Sequence, residues 1–204
     1  MITALNKKLI VVAGLLAAGK TTFALKLSHE LQIPCFSKDL LKNAMGRSMP
    51  VNSRDESKLL SATSFDAIEF ITERFMEAHL PLIIEANFRM DENHGGIREG
   101  EKLQELAERY GYRVLTFLFT GDPSVLHKRY KERENRPERG HANRLWSEFS
   151  LEDYENSVSL LGCFDIGGKI IKIDSTDFGA VDFEHHIEQA RSFIGFGEAD
   201  FTMF

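Results

Sequence analysis

Positive charge is in short supply in this 204-residue chain, where 25 lysines and arginines face 31 aspartates and glutamates for a formal net charge of −6. Neutralising a nucleic-acid backbone takes clustered Lys and Arg, so a general grip on nucleic acid is disfavoured and only local basic clusters are left for it. Cysteine is scarcer still. Cys35 and Cys163 lie far apart in sequence and form no metal-type pair, which suits a reducing compartment and the role of small buried hydrophobes. Long apolar runs are also missing. None approaches a membrane span, and the N-terminal MITALNKK has no apolar core of signal-peptide length. The expectation is a soluble, cytoplasmic protein with no membrane partner, 43% hydrophobic and so able to bury one sizeable core in a single domain over residues 1–204.

What the chain does have is concentrated in LIVVAGLLAAGKTT, Leu9 to Thr22. The apolar, β-branched run Leu9-Ile10-Val11-Val12 reads as a buried strand, and the chain breaks at Gly14 and re-enters regular structure as an amphipathic helix. The spacing Gly14-x-x-x-x-Gly19-Lys20-Thr21 fits the phosphate-binding P-loop. Gly14 permits a sharp turn off the strand, and Gly19 lets backbone N–H groups approach a phosphate. Lys20 brings a cation to the β- and γ-phosphates, Thr21 a hydroxyl for Mg²⁺, and the helix its positive dipole end. The phosphate-binding backbone thus runs from Gly14 through Ala17, Ala18 and Gly19 to Thr22, with Ala17 and Ala18 where glycine or serine often sits.

Further along, Cys35-Phe36 begins a short strand that ends at Lys38 and Asp39, where Ser37 or Asp39 is a candidate cap of the following helix. In an α/β sheet that strand end also opens on the edge where ligands collect. A long amphipathic helix is expected over Asp55 to Ala78, with an apolar face from Leu59 to Met76. Leu80 to Ala86 is another buried strand pattern; the carboxylate at its end, Glu85, is a candidate Mg²⁺ ligand, direct or through water, and Asn87 and Arg89 follow on the same edge as candidate substrate contacts. His94, in a Gly-containing loop, has no Ser, Cys or second His to work with. A helix is expected over Ile97 to Tyr110, a third apolar strand over Arg113 to Thr120, and a further helix opening at Pro123 and carrying Arg129 and Arg133 on one face. Arg136, Arg139, His141 and Arg144 then cluster around Pro137 and Gly140, either as a solvated basic face or as a lid of residues about 134–146 that closes over phosphates. Helices over Trp146 to Leu161 and Val181 to Ile194 flank a last strand, Lys169 to Ile173.

Strand, P-loop, helix, a second strand ending in Asp39, a third ending in Glu85 and an arginine-rich lid resemble a known group. These are the small P-loop kinases related to the kinase domain of polynucleotide kinase, chloramphenicol phosphotransferase, gluconate kinase and the zeta toxins. The resemblance runs loosely from about Leu9 to about Thr176, and the P-loop is its most specific part. It implies a three-layer α/β P-loop fold with a mostly parallel five-stranded sheet, helices on both faces and a lid. It further implies that Asp39 contacts the acceptor hydroxyl and serves as base, and that Glu85, where aspartate is commoner, assists the metal. Arg129, Arg133, Arg136 and Arg139 become the lid arginines, and the nucleotide base rests near the lid and the Asp174-Ser175-Thr176 turn. Lys38, beside Asp39, becomes a candidate contact to an anionic acceptor or a solvated charge.

The function expected is ATP- and Mg²⁺-dependent transfer of the γ-phosphate to a hydroxyl of a small molecule. Two related acceptors stay open, a nucleic-acid 5′-hydroxyl and a nucleotide-sugar. From another class stands a nucleotide-dependent ATPase or switch module. The Asn-Lys-x-Asp loop that would signal guanine specificity is absent from the chain.

Overall fold

The computed structural model describes residues 7–88, 99–134, 142 and 149–195, apart from the side chain of residue 160. Five strands, β1 (Lys8–Gly14), β2 (Cys35–Ser37), β3 (Leu82–Glu85), β4 (Arg113–Thr120) and β5 (Lys169–Asp174), form one sheet in the order β2-β3-β1-β4-β5. Every neighbouring pair is parallel. The P-loop strand is therefore central, with β3 on one side and β4 on the other.

A parallel sheet needs cover on both faces, and the residues of β1 alternate accordingly. Ile10 and Val12 pack into a core with Phe23, Ala24, Leu27 and Leu31 of α1 (Lys20–Leu31), Leu126 and Tyr130 of α5 (Pro123–Glu134), and residues of α6 (Leu151–Leu161) and α7 (Phe183–Ile194). Leu9, Val11 and Ala13 face the opposite layer, with Phe65, Ile68 and Met76 of α3 (Arg54–Glu77) and Leu103, Leu106 and Ala107 of α4 (Glu99–Tyr110). The expected three-layer architecture, with five strands and helices on both faces, is the one observed. No helix among the described residues is long and apolar enough to cross a membrane.

The boundaries that moved did so for local reasons. Trp146 to Leu161 was expected as one helix, but Phe149 and Ser150 are not helical. Helix α6 starts at Leu151 because Ser150 and Asp153 cap each other's backbone N–H groups. Helix α7 begins at Phe183 rather than Val181, since Asp182 accepts from the His185 N–H. Of the apolar face expected on α3, Leu60, Phe65, Ile68 and Met76 are buried, while Leu59 is turned about 100° from Leu60 and is exposed. Trp146 lies outside the described residues, as does all of the expected lid beyond Glu134 except Ala142.

Candidate active site

The P-loop leaves β1 through two backbone constraints. Gly14 has φ 114°, and a Cβ there would stand 2.1 Å from the carbonyl oxygen of Phe119 on β4, so only glycine fits this close approach. Gly19 has φ 91° and caps α1, and a Cβ on it would lie 2.0 Å from the ring of Phe178. Between them Ala17 also takes a left-handed φ of 55°. The outer wall of the loop is tied down: the Leu15 N–H donates to the Phe119 carbonyl at 2.9 Å, and the Tyr154 hydroxyl to the Leu16 carbonyl at 2.6 Å.

Lys20, 5% exposed, donates from Nζ to the Leu15 carbonyl at 2.6 Å. Burial pushes its pKa down to about 8, against the opposing pull of Glu85 and Asp39. Glu85 ends β3 in register with Val12 of β1 and Ser37 of β2, and is itself 3% exposed. Burial raises its pKa, while Lys20 and hydrogen bonds from the Ser37 and Thr21 hydroxyls draw it back. Ser37, rather than Asp39, caps α2 (Lys38–Met45). Asp39 is thereby left in the first turn of that helix and lines the cavity.

That cavity, of about 650 Å³, is lined by the P-loop from Ala17 to Thr22 and by residues that follow each of the other four strands. Their chemistry is sorted by strand order. On the β2–β3 side stand Asp39, Leu40, Asn43, Glu85 and Asn87; on the β4–β5 side stand Arg129, Arg133 and Phe178. One half holds carboxylates and amides with one leucine, and the other holds guanidinium groups and an aromatic ring. The Arg129 guanidinium donates to the Ser175 and Thr176 carbonyls at 3.0 Å each and lies 5.8 Å from the Phe178 ring centre, so it also fixes the turn that carries Phe178. Among the described residues no cluster of three or more His, Cys, Asp or Glu could hold a metal ion. Thr21 and Glu85 together fit Mg²⁺, which takes one or two protein oxygens and completes its shell with water and phosphate.

The model of the AAA domain family matches residues 9–147, which span the P-loop, α2, Glu85 and α5. The chain belongs to the AAA domain family. Among solved structures, this AAA domain protein is similar to one from Chloroflexus aurantiacus J-10-fl provisionally described as a kinase, at 25% identity and a TM-score of 0.80 over 92% of this chain and 98% of that one. It has the same fold as the tunicamycin resistance protein of Deinococcus radiodurans, at 19% identity and a TM-score of 0.55 over 93% and 96% of the two chains. The same holds for a gluconokinase from Sinorhizobium meliloti 1021, at 18% identity and a TM-score of 0.51 over 92% and 91%. No curated protein matches the chain. Its architecture is that of the P-loop kinases.

Of the residues singled out in this AAA domain chain, Ala17, Ala18, Gly19, Lys20, Thr21, Thr22, Asp39, Glu85, Asn87, Arg129 and Arg133 converge on the cavity. Three others do not line it. Gly14 serves the close approach to β4, and Thr176 spends its hydroxyl on Asp122 and Asp174. Lys38 forms a largely buried ion pair with Glu99. Arg89, Arg136 and Arg139 lie outside the described residues. Cys35, whose thiol burial pushes up to about 12, is no nucleophile. Leu40, Asn43 and Phe178 were missed. Asn43 is four residues after Asp39 on one helix face, a signal the sequence held. Phe178 carried none, since it reaches the P-loop from the far end of the chain.

Proposed function

We propose that this P-loop kinase transfers the γ-phosphoryl group of ATP, with Mg²⁺, to a hydroxyl of a small molecule. The observation that carries the reading is the sorting of the cavity about the P-loop. Guanidinium groups and Phe178 lie on one side, and a carboxylate on a helix N-terminal turn lies on the other. The cationic and aromatic half suits the nucleotide, the half with Asp39 suits an alcohol, and Lys20 stands between them. The solved structures of similar fold include a gluconokinase, which adds support for a small-molecule acceptor.

In this reading the nucleotide phosphates take the Lys20 ammonium from the Leu15 carbonyl, and the N–H groups at the start of α1 face the same anion. Thr21 would hold Mg²⁺ directly and Glu85 through water; when bound, the metal neutralises charge on the β- and γ-phosphates. Asp39 accepts the proton of the acceptor hydroxyl as its oxygen bonds to the γ-phosphorus. The bond from that phosphorus to the bridging oxygen breaks, and ADP leaves. Arg133 faces the charge that builds on the transferring group.

The test is transfer from γ-labelled ATP to a panel of sugars, nucleosides, aminoglycosides, amphenicols and 5′-hydroxyl oligonucleotides, with Asp39→Asn as control. Label should appear in a small-molecule class, and Asp39→Asn should cut transfer by about 10² to 10⁴ at unchanged ATP affinity. Release of label only as inorganic phosphate, at one rate with every additive and in the control, would make the protein an ATPase.

A further inference from the structure

We infer that the acceptor is an uncharged polyol with one apolar face, and that Asn87 determines this specificity; the inference rests on the phosphotransferase reading above. The acceptor half of the cavity is built from two short stretches, Asp39-Leu40 with Asn43 on α2 and Asn87 beyond β3. Asn87 sits between two buried residues. Its neighbours Ala86 and Phe88 are 3% and 1% exposed, and the Phe88 ring stacks on Phe164 at 4.7 Å. The side-chain oxygen of Asn87 is nonetheless a buried acceptor without a hydrogen-bond partner among the described residues. A buried carbonyl oxygen in that state lowers stability until a donor arrives, and a ligand hydroxyl entering this cavity can supply one. In the same half, Leu40 on α2 is 45% exposed, an apolar side chain among polar ones, which offers a surface for the carbon face of a polyol or a ring.

Charge points the same way. The two lysines of α2 near this half are engaged elsewhere: Lys38 with Glu99, and Lys42, 4% exposed, with the Ser57 hydroxyl at 2.8 Å. Among the described residues of this half, an anionic acceptor would therefore meet the carboxylates of Asp39 and Glu85. A cationic acceptor would pair with Asp39 and occupy the carboxylate that has to receive the hydroxyl proton. A neutral hydroxyl compound can place one hydroxyl at Asp39 and donate another to Asn87, because each hydroxyl is a donor and amide groups read hydroxyls without demanding charge.

The experiment uses matched sets of acceptors on one carbon skeleton: a hexose, the hexuronic acid and the hexosamine, and a nucleoside with its monophosphate and its amino derivative. Transfer from γ-labelled ATP is measured with each, and ATP affinity separately by calorimetry. The neutral member of a set should be used with kcat/KM at least about tenfold above its charged partners. Asn87→Ala should raise the acceptor KM by about 5- to 100-fold at unchanged ATP affinity, and Asn87→Asp should move the preference toward the amine. A charged member preferred, an acceptor KM indifferent to Asn87→Ala, or transfer to charged compounds alone would each overturn the inference. Failure of ATP to bind, or label released only as inorganic phosphate with every compound, would instead overturn the phosphotransferase reading beneath it.

Discussion

Lys20 is the residue on which stability and function pull in opposite directions. In the ligand-free protein its pKa is about 8, against an ordinary 10.5 that the unfolded chain retains. Between those values the unfolded chain binds more protons than the folded one, so this residue's contribution to stability rises as pH climbs from 8 to 10.5. Phosphate binding reverses the preference, because it rewards the ammonium. ATP affinity should therefore hold below pH 8 and fall above it by up to about tenfold per pH unit, with proton uptake on binding near pH 8 to 9. Calorimetry at pH 7, 8 and 9, in two buffers of different ionisation heat, reads both effects; equal affinity at pH 7 and 9 with no proton uptake would contradict them. The same conflict makes Lys20→Met an informative variant. Replacing a buried ammonium with an apolar side chain of similar length should stabilise the ligand-free fold at pH 7 by about 1–2 kcal/mol. The variant should also abolish the ATP-induced rise in stability, worth about 2.7 kcal/mol at a hundredfold excess over Kd. A melting series with and without ATP separates the two outcomes.

Elements meet at two contacts that local sequence does not announce. The first is Phe178, in a 3₁₀ turn over Phe178–Ala180, against Gly19 at the N-terminus of α1. Gly19→Ala brings a Cβ into that ring and also strains a backbone at φ 91°, and should lower stability by about 2–4 kcal/mol. Adding Phe178→Ala should recover the steric part and leave the backbone part, so the double variant should unfold in urea later than Gly19→Ala alone and earlier than Phe178→Ala alone. The second contact joins α2 to α3 and both to Ala142: Lys42 donates to Ser57 Oγ at 2.8 Å, and Ser57 Oγ donates to the Ala142 carbonyl at 2.9 Å, with Ser57 fully buried. Ser57→Ala should cost about 1–3 kcal/mol, and a denaturation cycle with Lys42→Met should show the double variant less destabilised than the sum of the singles. These contacts mark where sequence reading stopped. Strands β1, β3 and β4 were legible because burial on both faces makes them near-continuous apolar runs, and the P-loop because its backbone geometry dictates residue types. Ser37 and Asp39 could not be told apart as caps, since both side chains suit the position; packing of β2 beside β3 decides it by bringing Ser37 to Glu85. The start of α6 was misread because Trp146 and Phe149 continue a helical spacing that the Ser150–Asp153 capping box interrupts. Neither the cavity role of Phe178 nor the engagement of Lys38 with Glu99 was legible, as each depends on a partner more than fifty residues away.

The molecule as a whole carries a formal net charge of −6, while its cavity places cations on one side of β1 and carboxylates on the other. Those two facts would give the two proposed substrates different electrostatic signatures. In the proposed phosphotransferase ATP would enter the half with Arg129 and Arg133 and meet Lys20, so its binding should weaken with salt. A neutral acceptor displaces no counterions, and its KM should stay within about twofold between 50 and 200 mM salt. A 5′-hydroxyl oligonucleotide would behave otherwise. It would need basic contacts to its phosphates against an overall like charge, and each such contact would add about −0.7 to the slope of log affinity against log salt. Steady-state kinetics over that salt range, with ATP held saturating, therefore separates the acceptor classes for any compound that takes up label. A flat KM places recognition in Asp39, Asn87 and Leu40. A slope of about −2 or steeper, equivalent to about three phosphate contacts, would move recognition to basic residues beyond this cavity and make a nucleic-acid 5′-end the better substrate.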